Sequence, residues 1–168
     1  MLFKRVNPEE TKMIEMNTNC ELGKYIQFIR KPYEEPYHLN LIIRASNGKQ
    51  LGELEFYDNA ESLLKCAETL EVFPRHNSDM FLWELGSERP EDKFAFYFRF
   101  RVFLINSTGR CAIQIRLNNN SDIPDKAISE FVIEAEPAGV NRLGKAFRAF
   151  SKLQSNILNW NGIGGEVA

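Results

Sequence analysis

The segment Lys93–Ile105, KFAFYFRFRVFLI, restricts the fold more than any other part of the chain. Side chains along a strand point alternately to its two faces, so hydrophobicity with a period of two marks a strand buried on one side. Here Phe94, Phe96, Phe98, Phe100, Val102 and Leu104 fall on one face, and Ala95, Tyr97, Arg99, Arg101 and Phe103 on the other. The first row predicts core. The second is a basic and aromatic row placed to meet a partner.

Two apolar runs come earlier, at 21–31 and 37–45. In the second, Leu39, Leu41 and Ile43 alternate with Asn40, Ile42 and Arg44, the pattern of a half-buried strand. The two prolines of KPYEEP interrupt any ladder between the runs, and Asn47-Gly48 predicts a hairpin into a third strand at 50–57. The period then changes. Leu63, Cys66, Ala67 and Leu70 recur at steps of three and four, predicting an amphipathic helix over 60–72 opened by a capping box from Asp58 and Glu61. Four strands follow at 81–86, 93–105, 110–117 and 128–136. Pro137 opens a second helix extending to Leu158, with Val140, Leu143, Phe147 and Phe150 on one side and Lys145, Arg148 and Lys152 opposite.

The order βββα-ββββα, with short links and one apolar row per strand, predicts an α+β fold: a mainly antiparallel curved sheet of about seven strands with two helices packed on one face. Residues 1–168 read as one domain, with 1–18 and 159–168 peripheral or frayed. Each helix follows a strand through an acidic junction, Tyr57-Asp58 and Glu134-Ala135-Glu136-Pro137, but the surrounding residues do not align as a repeat.

A net charge of -2 argues against a chain that coats nucleic acid, although it leaves room for a local basic patch. No apolar run approaches a membrane span, and MLFKRVNPEETKM lacks a signal-peptide core, so no membrane association and a cytoplasmic location are expected. Cys20, Cys66 and Cys111 are odd in number and form no CxxC pair, the usage of reduced thiols. His38 and His76 belong to no motif. The sequence holds no metal-ligand spacing, no GxSxG and no phosphate-cradling glycine loop, and its closing GIGG has no helix after it. Neither a cofactor nor enzymatic chemistry is expected.

Two surfaces remain as candidates. Glu53 and Glu55 on the third strand, with Glu130 and Glu134 on the seventh, form acidic rows on the outward sheet face. Paired carboxylates can divide acid and base roles, but beside Arg99, Arg101 and Arg116 they read as cross-strand charge pairs. Tyr97, Arg99 and Arg101, joined by Gln114 and Arg116, form the candidate nucleic-acid surface, since aromatics stack bases and arginines meet phosphates on open sheets. In topology, the three-then-four strand order with a helix after each block is similar to that of plant Whirly-type single-strand binders.

Four segments carry a further likeness: WELGS at 83–87, YFRFRV at 97–102, IRLNNN at 115–120 and EAEPAGVNRLGKAF at 134–147. Together they resemble an uncharacterised family of bacterial single-domain proteins that includes suspected immunity proteins of toxin systems. The resemblance implies a binding protein and supplies no catalytic residues. The expected function is therefore non-enzymatic protein binding in the cytoplasm, by an immunity protein that covers the active site of a cognate toxin. Glu53, Glu55, Glu130 and Glu134 would meet a basic toxin, with Tyr97, Arg99 and Arg101 as the rival patch. The alternative is a single-stranded nucleic-acid binder using the Arg/Tyr face. Oligomeric state is not legible in the sequence.

Overall fold

A computed structural model describes residues 23–168. The predicted N-terminal periphery and Cys20 lie outside the described residues. The strands are β1 (Lys24–Lys31), β2 (Leu39–Asn47), β3 (Leu51–Asp58), β4 (Met80–Gly86), β5 (Tyr97–Leu104), β6 (Cys111–Asn118), β7 (Ile128–Ala135), β8 (Ile157–Trp160) and β9 (Gly165–Val167). Helix α1 (Ala60–Leu70) separates β3 from β4, and α2 (Pro137–Phe150) separates β7 from β8.

The fold is α+β and antiparallel throughout, but the strands form two sheets rather than one of seven strands. Their orders are β3-β2-β1-β8-β9 and β4-β5-β6-β7. The helices decide this. The chain leaves the first sheet at β3, crosses α1 and starts a new sheet at β4. It leaves that sheet at β7 and returns through α2 to lay β8 beside β1, with Ile26 opposite Trp160. A βββαβ unit thus occurs twice, and the last strand of each unit pairs with the first strand of the other. Two tryptophans mark the correspondence. Trp83 on β4 donates its indole N–H to Asp58 Oδ2 (2.8 Å), and Trp160 on β8 donates to the Gly139 carbonyl (2.8 Å). Each ties a strand back to the start of the helix before it.

The inward rows of both sheets and the apolar faces of both helices share one core. Phe28 of β1 stacks on Trp83 of β4 at 5.8 Å, Phe56 of β3 stacks on Phe98 of β5 at 4.4 Å, and Phe147 of α2 packs 5.2 Å from Phe28. Each fully buried phenylalanine contributes about 1.5–3 kcal/mol relative to exposure. The helical faces are those the periodicity predicts: Leu63, Cys66, Ala67 and Leu70 of α1 and Val140, Leu143, Phe147 and Phe150 of α2 are buried.

Two glycines permit the closest approaches. At Gly52 on β3 a Cβ would lie 2.9 Å from Ser129 Cβ on β7, so the sheets meet where one side has no side chain. At Gly144 on α2 a Cβ would press on the backbone of Leu70 and Glu71 at the end of α1. Asn141 donates to the carbonyls of Leu70 (2.9 Å) and Phe73 (2.7 Å), closing the C-terminus of α1 against the same helix.

Other local expectations are corrected. The N-cap of α1 is Asn59, whose side chain accepts from Ser62 N (3.0 Å); Asp58 instead accepts from Asn59 N, Ser62 Oγ and Trp83. Strand β5 begins at Tyr97, because a short 3-10 turn at Pro90–Asp92 and a left-handed Lys93 (φ 54°) bend the chain before it. Phe94 is consequently exposed rather than core. Helix α2 stops at Phe150; a left-handed Leu153 (φ 59°) redirects the chain into β8, and residues 165–167 add a second strand where fraying was expected.

Candidate functional site

The register of the four-stranded sheet sets its outer face row by row. Met80, Phe103, Ala112 and Glu134 lie side by side, followed by Leu82, Arg101, Gln114 and Val132. Next come Glu84, Arg99, Arg116 and Glu130, and then Gly86, Tyr97, Asn118 and Ile128. These are the positions opposite in parity to the core row, so this face follows from the same alternation that buries Phe98 and Phe100.

The Arg99 row is internally compensated. Arg99 donates to Glu130 (2.6 Å). Arg116 pairs with both Glu130 (3.0 Å) and Glu88 (2.9 Å), and Asn118 also donates to Glu88 (2.8 Å). Burial alone would raise the Glu88 carboxyl, but the Arg116 and Asn118 hydrogen bonds together with the charges of Arg116 and Arg99 outweigh it and hold the group below its ordinary range. Arg116 is raised in turn, chiefly by the bond to Glu88. Tyr97 is buried, and its hydroxyl donates to Glu84 (2.7 Å); desolvation, then this bond, raises its pKa. Its ring therefore offers little surface for stacking.

Arg101 differs. Among the described residues it pairs with no carboxylate. It donates to Gln114 Oε1 (2.6 Å), and its guanidinium lies 4.6 Å from the centre of the Phe103 ring. Its Nε is buried without an acceptor, as is that of Arg99. Leu82, 46% exposed, stands directly beside it in the row, and Val132, 39% exposed, stands beyond Gln114 on the other side. An uncompensated guanidinium held by an aromatic ring and bordered by exposed aliphatics combines a charged anchor with apolar contact area.

The four glutamates singled out in the sequence belong to two different sheets. Glu53 and Glu55 belong to β3 of the five-stranded sheet, where Glu53 pairs with Arg44, and Glu55 with Lys31 (3.6 Å) and Asn40 (2.9 Å). Glu130 and Glu134 belong to β7 of the other sheet, and Glu134 pairs with Arg110 (3.2 Å). The separation follows directly from β3 and β7 being edge strands of different sheets. Sequence reasoning did bring together Tyr97, Arg99, Arg101, Gln114 and Arg116. It missed Glu84 and Leu82, which parity about Trp83 would have placed outward, and Glu88, a loop residue with no periodic signal.

Cys66 and Cys111 are free and buried. Burial raises both thiols, that of Cys111 to about 11, so neither is a ready nucleophile. Among the described residues, no group of three or more His, Cys, Asp or Glu side chains is arranged to hold a metal, and no helix is long and apolar enough to cross a membrane. His76 Nδ1 lies 3.1 Å from Ser78 Oγ in an exposed turn. Compared with known proteins, the chain matches no family model, no curated protein and no solved structure.

Proposed function

We propose that this is a non-enzymatic protein-binding module, acting as a cytoplasmic immunity protein against a cognate toxin, and that it binds through the outer face of the four-stranded sheet. The observation that carries this reading is Arg101, a guanidinium without a carboxylate between exposed Leu82 and Val132. A partner carboxylate reaching Arg101 would complete its charge while aliphatic groups cover Leu82 and Val132. Arginine and aromatic anchors at the centre of a patch are where protein interfaces concentrate binding free energy. The compensated row of Arg99, Arg116, Glu88 and Glu130 then acts as a pre-arranged polar border.

The acidic contacts expected for a basic toxin lose support, because Glu53, Glu55, Glu130 and Glu134 each hold a cation already. Single-stranded nucleic-acid binding is weakened by the same pairing on Arg99 and Arg116 and by the burial of Tyr97. Affinity capture from the native host, with the wild-type chain and Arg101→Ala in parallel, tests the proposal. One stoichiometric protein, encoded beside this gene and lost with Arg101→Ala, is the expected result. Salt-sensitive nucleic acid as the retained species would overturn it.

A further inference from the structure

At one end of the four-stranded sheet, the β4–β5 connection (residues 87–96) and the β6–β7 connection (residues 119–127) border a cavity of about 470 Å³. This lies within the range of about 300–1,000 Å³ occupied by small-molecule sites. Its frame is braced. Asn120, left-handed at φ 48°, donates its side-chain amide to the carbonyls of Ser87 (2.8 Å) and Phe94 (3.0 Å), joining one loop to the other. Asn118 accepts from Asn120 N (2.8 Å) and donates to Glu88. Arg89 is occupied by Asp92 (2.9 Å).

Four lining groups are left uncommitted. Among the described residues, Lys93 and Lys126 form no ion pair, and the Asp122 carboxylate accepts no hydrogen bond. Phe94, in the inward row by parity, instead leaves 52% of its surface exposed beside them. Two free ammonium groups attract a phosphate, an exposed ring offers a stacking surface for a planar base, and a free carboxylate accepts from sugar hydroxyls. We propose that this cavity binds a nucleoside phosphate, its phosphate at Lys93 and Lys126, its base on Phe94 and its ribose toward Asp122. These residues are distinct from those around Arg101, so the two readings stand or fall separately.

The test is a titration of the ¹⁵N-labelled chain with AMP, with inorganic phosphate and with adenosine, followed by amide chemical shifts. The expected result is saturable shifts confined to residues 87–95 and 118–126, with a Kd of about 1 mM or tighter for AMP. Binding of phosphate or adenosine alone should be weaker by about tenfold or more, each lacking half of the contacts. Lys93→Ala with Lys126→Ala, and separately Phe94→Ala, should weaken AMP by about tenfold, whereas Lys145→Ala with Lys152→Ala on α2 should not. The spectra themselves report whether each variant is folded. Absence of saturable shifts, shifts centred elsewhere, equal affinity for phosphate alone, or unchanged affinity in the two cavity variants would each overturn the proposal.

Discussion

Gly144→Ala should destabilise the protein, although the same change in an isolated helix would stabilise it. In a helix interior, replacing glycine with alanine is favourable by about 1 kcal/mol. Here the added Cβ would meet the Glu71 amide nitrogen, lie 2.8 Å from the Leu70 carbonyl carbon and lie 3.0 Å from Glu71 Cα. Ordinary contact begins at 3.4 Å, and all three obstacles are backbone, so no rotamer change relieves them. The helices must separate by roughly 0.6 Å or more, an overpacking that typically costs about 1–3 kcal/mol. That movement also stretches the Asn141 bonds to Leu70 and Phe73, each with a net contribution of about 1 kcal/mol. After subtracting the helix-propensity gain, the net loss centres on about 3 kcal/mol, a fall in Tm of about 6–12 °C for a chain of this size. Urea unfolding followed by circular dichroism measures it, with an unchanged m-value showing that the change lies in stability. A variant as stable as the wild type, or more stable, would refute the close α1–α2 packing.

Other outcomes follow from the same structure. Trp83→Phe keeps an aromatic ring in the core but removes the bond to the Asp58 carboxylate; a loss of about 1.5–3 kcal/mol in denaturant unfolding is expected, and no loss would contradict that tie. Cys66 and Cys111, buried and raised in pKa, should resist alkylation at pH 8 until the chain is denatured, as read by peptide mass mapping; rapid native labelling of either would show that the core is open there. The Glu71 carboxyl is held down by its bonds from Arg148, and that of Glu88 by Arg116 and Asn118 against the effect of burial. Both folded values lie below the ordinary 4.5, so their contribution is present above that pH and is lost as pH falls through the folded values. Urea midpoints between pH 7 and pH 3 should therefore fall less steeply in Glu71→Gln with Glu88→Gln than in the wild type, and equal slopes would count against these ion pairs.

Parity along β5 divided core from surface at most positions, failing at Phe94, which precedes the strand and is exposed, and at Tyr97, which is buried on the outer face. It placed Phe98, Phe100 and Val102 inside and Arg99 and Arg101 outside, because alternation is a local property of the backbone. The division into two sheets was not legible, since it depends on β4 starting a new sheet after α1 and on β8 returning to β1, with Ile26 opposite Trp160 across most of the chain. Strand β8 was hidden because Phe150, Leu153, Ile157 and Leu158 continue the three- and four-residue spacing of α2 past its end. At the site, Arg99 and Arg101 look alike in sequence. They differ only because register sets Arg116 and Glu130 in the row of the first, and Gln114 and Val132 in the row of the second. Adjacent Asp58 and Asn59 are both good caps, and the indole of Trp83 leaves Asn59 to take that role.

The central claim is that Arg101 and its aliphatic neighbours form the binding face, and the affinity of the captured partner for face variants tests it most directly. Arg101→Ala and, separately, Leu82→Asp should each weaken binding by about 30-fold or more, the loss of about 2 kcal/mol that defines an interface anchor. Leu82 is exposed and Arg101 half-buried on the outer face, outside the core, so Tm should stay close to that of the wild type. Unchanged affinity in both variants, with the fold intact, would contradict the account.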